Sequence, residues 1–572
     1  MRPRGKWLAI GLVLLGAVAA GCGGSSSQTG SNSGGGSSSS LPAHQNGGTL
    51  NVALHGSIDF TDPALAYYQP SWQLLYDTCV NLLNYPDKPG TAGLQLQPEA
   101  ASAMPKVSGN GKIYTFNVPP GKFHFNTGQP VTAATFQYTL LRDLTYAQSS
   151  AMVNFMGQYV QGAAAYNANK NGKPNGNASV SGIQVQGNNL IIKLTKQYAT
   201  IIPVLATPFA CAVPIGTPIN SKGQNTVPGA GPYYVASYTP NKSVVLKRNP
   251  HYTGNRPHYL SEIDVSQLTI DQNQGILEVK NGTLDYCPDC VTAAQTLSLY
   301  QSYGPGSTAA TSGDQRYFVS PNVEVDYYAF NTSPGKPLDN PLVREAINYA
   351  VDRAHTGAQL GYKIETPTDK ILPPGMPGAS EEQSIYPNSP NLSKAKALMK
   401  QSGVKTPLNL LVYSTSACPS CTNRMTILQQ DLKPLGINIT VKTFVRAVQF
   451  QQEGIKPGKM DISDEGWLMD FPDPYDFINV LLNGENIPAT NGVNFSYFNV
   501  AKYNSAMDHA ASLVGQPRYT AYGQLATQIF RDDPPWAAFG NRNNTDLFSA
   551  RVGCTVYQPV YGMDYATMCL RK

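Results

Sequence analysis

Charge is scarce in this sequence: Asp, Glu, Lys and Arg make up 13% of its 572 residues, about half the usual quarter. The net charge is +5 at pH 7 and no basic run is present. The clustered cations that grip a phosphate backbone are therefore missing, which excludes a nucleic-acid partner. Long apolar runs are absent as well. The one sustained run, Trp7 to Ala20, is too short to span a bilayer comfortably. Histidine is sparse: none of the seven sits in a G-x-S-x-G or H-E-x-x-H setting, the contexts that mark a serine hydrolase or a zinc protease. His124 lies between Phe123 and Phe125 with no second ligand near it, a structural position.

What is present begins with a leader. Arg2, Arg4 and Lys6 precede the apolar run and Ala19-Ala20-Gly21-Cys22 closes it, the layout of a secretory signal over residues 1–21. The small residues before Cys22 resemble a bacterial lipobox, in which Cys22 carries lipid. Ala19 stands where Leu is usual, and plain secretion is the alternative. Losing Arg2, Arg4 and Lys6 takes the net charge from +5 to +2. Residues 22–46, almost all Gly and Ser from Gly23 to Ser40, bury too little apolar surface to offset their ordering entropy and read as a flexible tether. The folded body begins near Gly47, with length for two or three domains.

Eight cysteines follow Cys22, an even number in an exported chain, which favours disulfides. Near neighbours pair as Cys287 with Cys290, Cys418 with Cys421 and Cys554 with Cys569, leaving Cys79 with Cys211. Zinc or redox chemistry is the alternative for the two C-x-x-C pairs. The 127 residues between Cys290 and Cys418 are far beyond zinc-ribbon spacing.

Along the body, Gly48–Leu54 and Ile113–Val118 alternate apolar and polar residues as half-buried strands do. Trp72 to Leu83, carrying Cys79, reads as helical. Thr132 is a good N-cap for a helix with Phe136, Leu140 and Leu144 on one face. Residues 163–180 read as a surface loop, and Ile183–Leu194 as a hairpin turning at 187–189. Gly229-Ala-Gly231 lacks the Gly-Lys-Ser/Thr ending of a phosphate loop. Asn340 caps a helix with Pro341 at its first position. Leu408–Val412, a helix with Met425, Leu428, Leu432 and Leu435 on one face, and Ile437–Val441 form a βαβ unit. Tyr503–Leu513 and Tyr519–Phe530 read as helices, and Pro534–Phe539 as a strand.

Three stretches carry a family resemblance. They are Gly121-Lys-Phe-His-Phe-Asn-Thr-Gly-Gln-Pro-Val131 with Tyr138–Arg142, Gly229-Ala-Gly-Pro-Tyr233 with Leu246–Gly254, and Tyr328-Ala-Phe-Asn-Thr332 with Val343–Arg353. In composition, order and separation they resemble the extracytoplasmic solute-binding proteins of ABC importers that handle oligopeptides, dipeptides and nickel. The resemblance implies a two-lobed, periplasmic-binding-protein-like (type II) α/β fold with an extra subdomain in the first lobe. Lobe I is expected from 47–75, 210–315 and 525–572, with strand Pro534–Phe539 returning the chain to it, its extra subdomain from 76–209, and lobe II from 316–524. It also implies a monomeric carrier without catalytic residues or cofactor, held outside the membrane and delivering a peptide-like solute to a permease and its ATPase. Oligosaccharides and metal chelates are alternative ligands.

The stretch Met460 to Phe477, MDISDEGWLMDFPDPYDF, gathers six carboxylates around one Trp. On composition alone it reads as a loop with solvated or capping acids, its turn fixed by Pro472 and Pro474. The resemblance gives it a sharper meaning. In peptide-binding relatives an Asp in the segment matching Trp467-Leu-Met-Asp470 holds the ligand's α-amino group, so that role falls on Asp470, with Trp467 and Phe471 beside it. A glycosidase would instead need two of the acids in 461–476 facing each other across a scissile bond, and a metal carrier would need several converging.

Overall fold

A computed structural model describes residues 44–169, 180–267, 271–416, 419–488 and 492–572. The leader, Cys22 and nearly all of the tether lie outside them, as does Cys418. The folded body starts slightly earlier than Gly47, because His44–Gln45 already pairs antiparallel with Cys569–Arg571. No described helix is long and apolar enough to cross a membrane.

Four larger sheets organise residues 44–572. Thr49–Ala53, Glu262–Ser266, Ser243–Arg248 and Tyr233–Thr239 form a four-stranded sheet in that order. Lys106–Ser108, Ile113–Asn117, Asn189–Lys193 and Ile183–Gln186 form a second, and the terminal strands a three-stranded one. The seven-stranded sheet runs Tyr317–Pro321, Trp536–Leu547, Glu324–Phe330, Ile462–Leu468, Leu408–Thr415 and Ile437–Phe444, with Glu365–Pro367 also on Trp536–Leu547. The expected βαβ unit is present: Leu408–Thr415 pairs parallel with Ile437–Phe444 across helix Pro419–Leu432, and Gly436 takes φ 72° at the turn.

Local signals placed the helix starts. Thr132 caps helix Ala133–Leu144 through a reciprocal capping box with Thr135, and the Asn340 side chain accepts from the Leu342 N–H ahead of helix Pro341–Ala350. The resemblance motifs are structural. Arg142 is bidentate to Asp62 at 2.9 and 2.6 Å, Arg353 donates to the carbonyls of Asn348, Ala538 and Pro387, and a Cβ on Gly231 would sit 2.6 Å from the Asp77 carbonyl. That close approach requires glycine and has nothing to do with phosphate.

Several expectations are corrected. Helix Gln69–Thr78 begins before Trp72 and ends before Cys79, and residues 163–180 contain helix Ala163–Ala168, with 170–179 outside the described residues. Strand Trp536–Leu547 joins the seven-stranded sheet through Glu324–Phe330 and Tyr317–Pro321, strands of the segment 316–524, instead of returning at once to the first lobe. A boundary at residue 525 would cut helix Gly515–Asp532. The largest correction concerns Met460–Phe477: Ile462–Leu468 is an internal strand, paired with Glu324–Phe330 on one side and Leu408–Thr415 on the other. Three disulfides join described residues, Cys79–Cys211, Cys287–Cys290 and Cys554–Cys569, and the expected pair Cys418–Cys421 rests on a residue outside them.

Candidate functional site

The acids of Met460–Phe477 are almost all withdrawn from solvent. Asp461 lies 3.3 Å from Lys336, Asp464 3.3 Å from Arg424, and Glu465 3.1 Å from Arg446. Asp473 is bidentate to Arg518 at 2.7 and 3.0 Å. A buried carboxylate is tolerable only when paired or hydrogen-bonded; the reading of these acids as solvated fails because each has a cation from elsewhere in the chain.

Two acids have no cation in contact, and they are adjacent in space. Strand Ile462–Leu468 ends where the Met469 N–H donates to the Val323 carbonyl, and the chain then turns through Asp470 into helix Tyr475–Leu482. Asp476, in that helix's first turn and fully buried, accepts from the Asp470 N–H at 2.8 Å and the Trp467 indole N–H at 3.3 Å. One side chain thereby fixes two of the three candidate ligand residues, Asp470 and Trp467. Burial, and then repulsion by Asp470, holds the Asp476 carboxyl well above the usual range.

Asp470 is half-buried and, among the described residues, its carboxyl has one hydrogen-bond partner, the Tyr67 hydroxyl, which donates at 2.7 Å. Burial pushes the Asp470 pKa up to about 7, against the opposing effect of that hydrogen bond. Tyr67 comes from a region 403 residues away in sequence. Its backbone N–H and that of Tyr68 donate to Asp59 at 2.8 and 3.1 Å, and its ring lies 5.9 Å from those of Trp72 and Phe209.

A cavity of about 630 Å³ opens against these groups, lined by Tyr67, Tyr68, Trp72, Trp467, Asp470 and Phe495 among others. That volume is in the range of about 300–1,000 Å³ for small-ligand sites. A second cavity, about 370 Å³, shares Tyr67, Trp467, Gly492 and Val493 with it. A third, about 180 Å³, shares Gln69, Asp289, Leu468 and Val560. The three follow one another along a single cleft.

Of the predicted ligand residues, Asp470 and Trp467 line the 630 Å³ cavity. Phe471 does not line any of the three: it is fully buried with its ring against Phe155 at 5.8 Å, so its place is under the cleft wall. No other acid of 461–476 lines the three cavities, so this stretch by itself does not supply two facing carboxylates to them. Sequence reasoning missed Tyr67, Asp289 and Asp476. A Tyr-Tyr pair before a Pro-started helix and an Asp inside a C-x-x-C loop were the available signals.

Residues 95–489 match the family model for bacterial extracellular solute-binding proteins, family 5. The oligopeptide-binding protein OppA of Bacillus subtilis (strain 168) is 25% identical over 412 residues, 68% of this chain and 71% of its own. Heme-binding protein A of Haemophilus influenzae is 23% identical over 517 residues, 87% of each. Among solved structures, clavulanic acid biosynthesis oligopeptide binding protein 2 superposes with a TM-score of 0.80 at 20% identity, covering 93% of this chain and 97% of that one. This likeness shows the fold, the two-lobed α/β class. With 395 consecutive residues matched to one family model, the chain belongs to the bacterial extracellular solute-binding proteins, family 5.

Proposed function

We propose that this protein is the capture component of an ABC importer, closing two hinged lobes around a peptide-like solute and delivering it to a permease and its ATPase. Lobe I comprises 47–75, 210–315 and the chain after strand Trp536–Leu547, with 76–209 as its extra subdomain. Lobe II comprises 316–547, which keeps helix Gly515–Asp532 and strand Trp536–Leu547 whole. A lipid on Cys22 holds the carrier at the outer face of the cytoplasmic membrane, each buried methylene contributing roughly 0.8 kcal/mol. The ligand shifts the population toward the closed form by as much as it prefers that form.

The observation that carries the peptide reading is the Asp470 carboxyl. It faces an aromatic-lined cavity with no cation in contact and one neutral hydroxyl as partner, a position an α-ammonium would complete. Names of relatives, an oligopeptide-binding protein among them, support the same class. The aromatic wall of Tyr67, Tyr68, Trp72 and Trp467 favours an oligosaccharide as the second reading, since aromatic faces cover sugar rings as well as apolar side chains.

Native mass spectrometry of purified protein after exposure to peptide, oligosaccharide and metal-chelate pools separates these readings. Recovery of peptide is expected, and recovery of sugar alone would refute it. Asp470→Asn is expected to weaken peptide binding by about 2–5 kcal/mol; unchanged affinity removes Asp470 from the site. Multiple turnover of any peptide or glycan, abolished by that substitution, would make the protein an enzyme instead of a carrier.

A further inference from the structure

The charges along the cleft are lopsided. The 630 Å³ cavity is lined by two carboxylates, Asp289 and Asp470, and, among the described residues, by no Lys, Arg or His. The described lining of the 370 Å³ cavity carries no charged side chain. The 180 Å³ cavity adds Glu324 and one cation, Arg542. That cation is engaged, donating to Asp326 at 2.6 Å with Glu324 at 3.6 Å. Among the described residues these walls thus offer an anionic group of a ligand no unengaged side-chain cation, whereas a cationic group finds two carboxylates.

Asp289 differs from the buried acids of the cleft floor. It lines both the 630 and the 180 Å³ cavities and is exposed to them, and among the described residues no hydrogen bond or ion pair engages its carboxylate. Burial raises its pKa, against the opposing charges of His55 and Arg542. The loop that carries it is fixed: Cys287 and Cys290 are disulfide-bonded on either side, Asp289 sits at φ 60°, and Gln272 Nε2 donates to its carbonyl at 2.7 Å. Gly275 lies against this loop, where a Cβ would meet the two sulfurs at 2.7 and 2.8 Å. A carboxylate held this way is preorganised for a ligand group, so little ordering cost remains on binding.

Closing the lobes would withdraw Asp289 from water, and an uncompensated carboxylate in a drying cleft is costly. Taking the peptide reading of Asp470 as its basis, we propose that Asp289 is a specificity-determining residue for a second cationic group, and that the solute is a basic peptide. Its α-ammonium takes Asp470, and a Lys ammonium or Arg guanidinium takes Asp289. The aromatic side chains between them cover the aliphatic stem and attract the cation by their π faces.

The test is calorimetric titration of the purified protein and its Asp289→Asn, Asp289→Glu and Asp470→Asn variants with Ala-Lys-Ala, Ala-Ala-Lys, Ala-Gln-Ala and Ala-Glu-Ala. Asn tolerates positive φ, so Asp289→Asn leaves the loop unstrained. At least one Lys peptide is expected to bind about tenfold tighter than Ala-Gln-Ala, with Ala-Glu-Ala weakest. Asp289→Asn erases that preference while holding Ala-Gln-Ala within about twofold of its original affinity, and Asp289→Glu retains the preference. Asp470→Asn weakens all four. Equal affinity for Lys and Gln peptides, or a Lys preference surviving Asp289→Asn, overturns the role of Asp289 and leaves the peptide reading standing. Loss of Ala-Gln-Ala binding in Asp289→Asn makes the residue structural and overturns it too. If no peptide binds, the peptide reading falls and this proposal with it.

Discussion

An ammonium binds a carboxylate and not a carboxylic acid, so a ligand held by Asp470 must displace a proton whenever the pH is below that group's pKa. Burial places the pKa near 7. Below 7 the apparent affinity falls tenfold per pH unit, 1.36 kcal/mol each. At pH 5 binding is about 100-fold weaker than its maximum, a loss of ~2.7 kcal/mol. On the alkaline side the ligand's own α-amino group, with a pKa of about 7.7–8.0, gives up its charge and affinity falls again. The expected profile is a bell with its top between 7 and 8. Calorimetry in buffers of different ionisation enthalpy reads the proton directly: about 0.9 released per peptide bound at pH 6. Asp470→Asn removes the acid limb and keeps the alkaline one. Tyr67→Phe shifts the acid limb to higher pH, because the hydroxyl's hydrogen bond lowers the Asp470 pKa. Affinity that stays level from pH 5 to 7, or an acid limb that persists in Asp470→Asn, refutes the assignment.

Other consequences concern the supports of the site. Asp476→Asn keeps an acceptor for the Asp470 and Trp467 N–H groups and is expected to leave thermal stability nearly unchanged. Asp476→Leu strands those N–H groups at about 1–3 kcal/mol each, and equal losses in the two variants would contradict the acceptor role of Asp476. Arg518→Met leaves Asp473 buried without its bidentate partner, and denaturant unfolding should show a loss of about 3–5 kcal/mol. Replacing Cys79 and Cys211 by Ala opens a covalent loop with a sequence separation of 132 and should cost about 2–5 kcal/mol, seen as a lower melting temperature. An unchanged melt would mean that the bond constrains nothing in the unfolded chain.

How far the sequence could be read follows from the range of the interactions. Thr132 with Thr135 and Asn340 with Pro341 are contacts between near neighbours, so the helix starts were visible as patterns. The βαβ unit was visible because Leu408–Thr415, Pro419–Leu432 and Ile437–Phe444 each carry their own period. Strand Ile462–Leu468 was not. Asp464 and Glu465 stand in its middle, and charge inside a strand ordinarily means solvent. Here it means Arg424 and Arg446, 40 and 19 residues away in sequence, which enter from helices Pro419–Leu432 and Arg446–Glu453. Apolar alternation cannot report a strand whose buried positions are satisfied ion pairs.

The site divides along the same line. Asp470 and Trp467 were reached only because their segment resembles one in relatives; nothing in the local pattern separates Asp470 from Asp473, three residues on. What separates them is the partner: Arg518 neutralises Asp473, while Asp470 meets a tyrosine hydroxyl from the far end of the chain. A carboxyl left without a cation in a protein this poor in charge is conspicuous only once every other acid of its stretch has been paired off or, as with Asp476, tied to N–H donors. The same accounting singles out Asp289, which the sequence offered merely as a spacer between two cysteines. In both cases the signal is that no cation among the described residues contacts the carboxyl, and that is a property of the folded chain which no linear pattern contains.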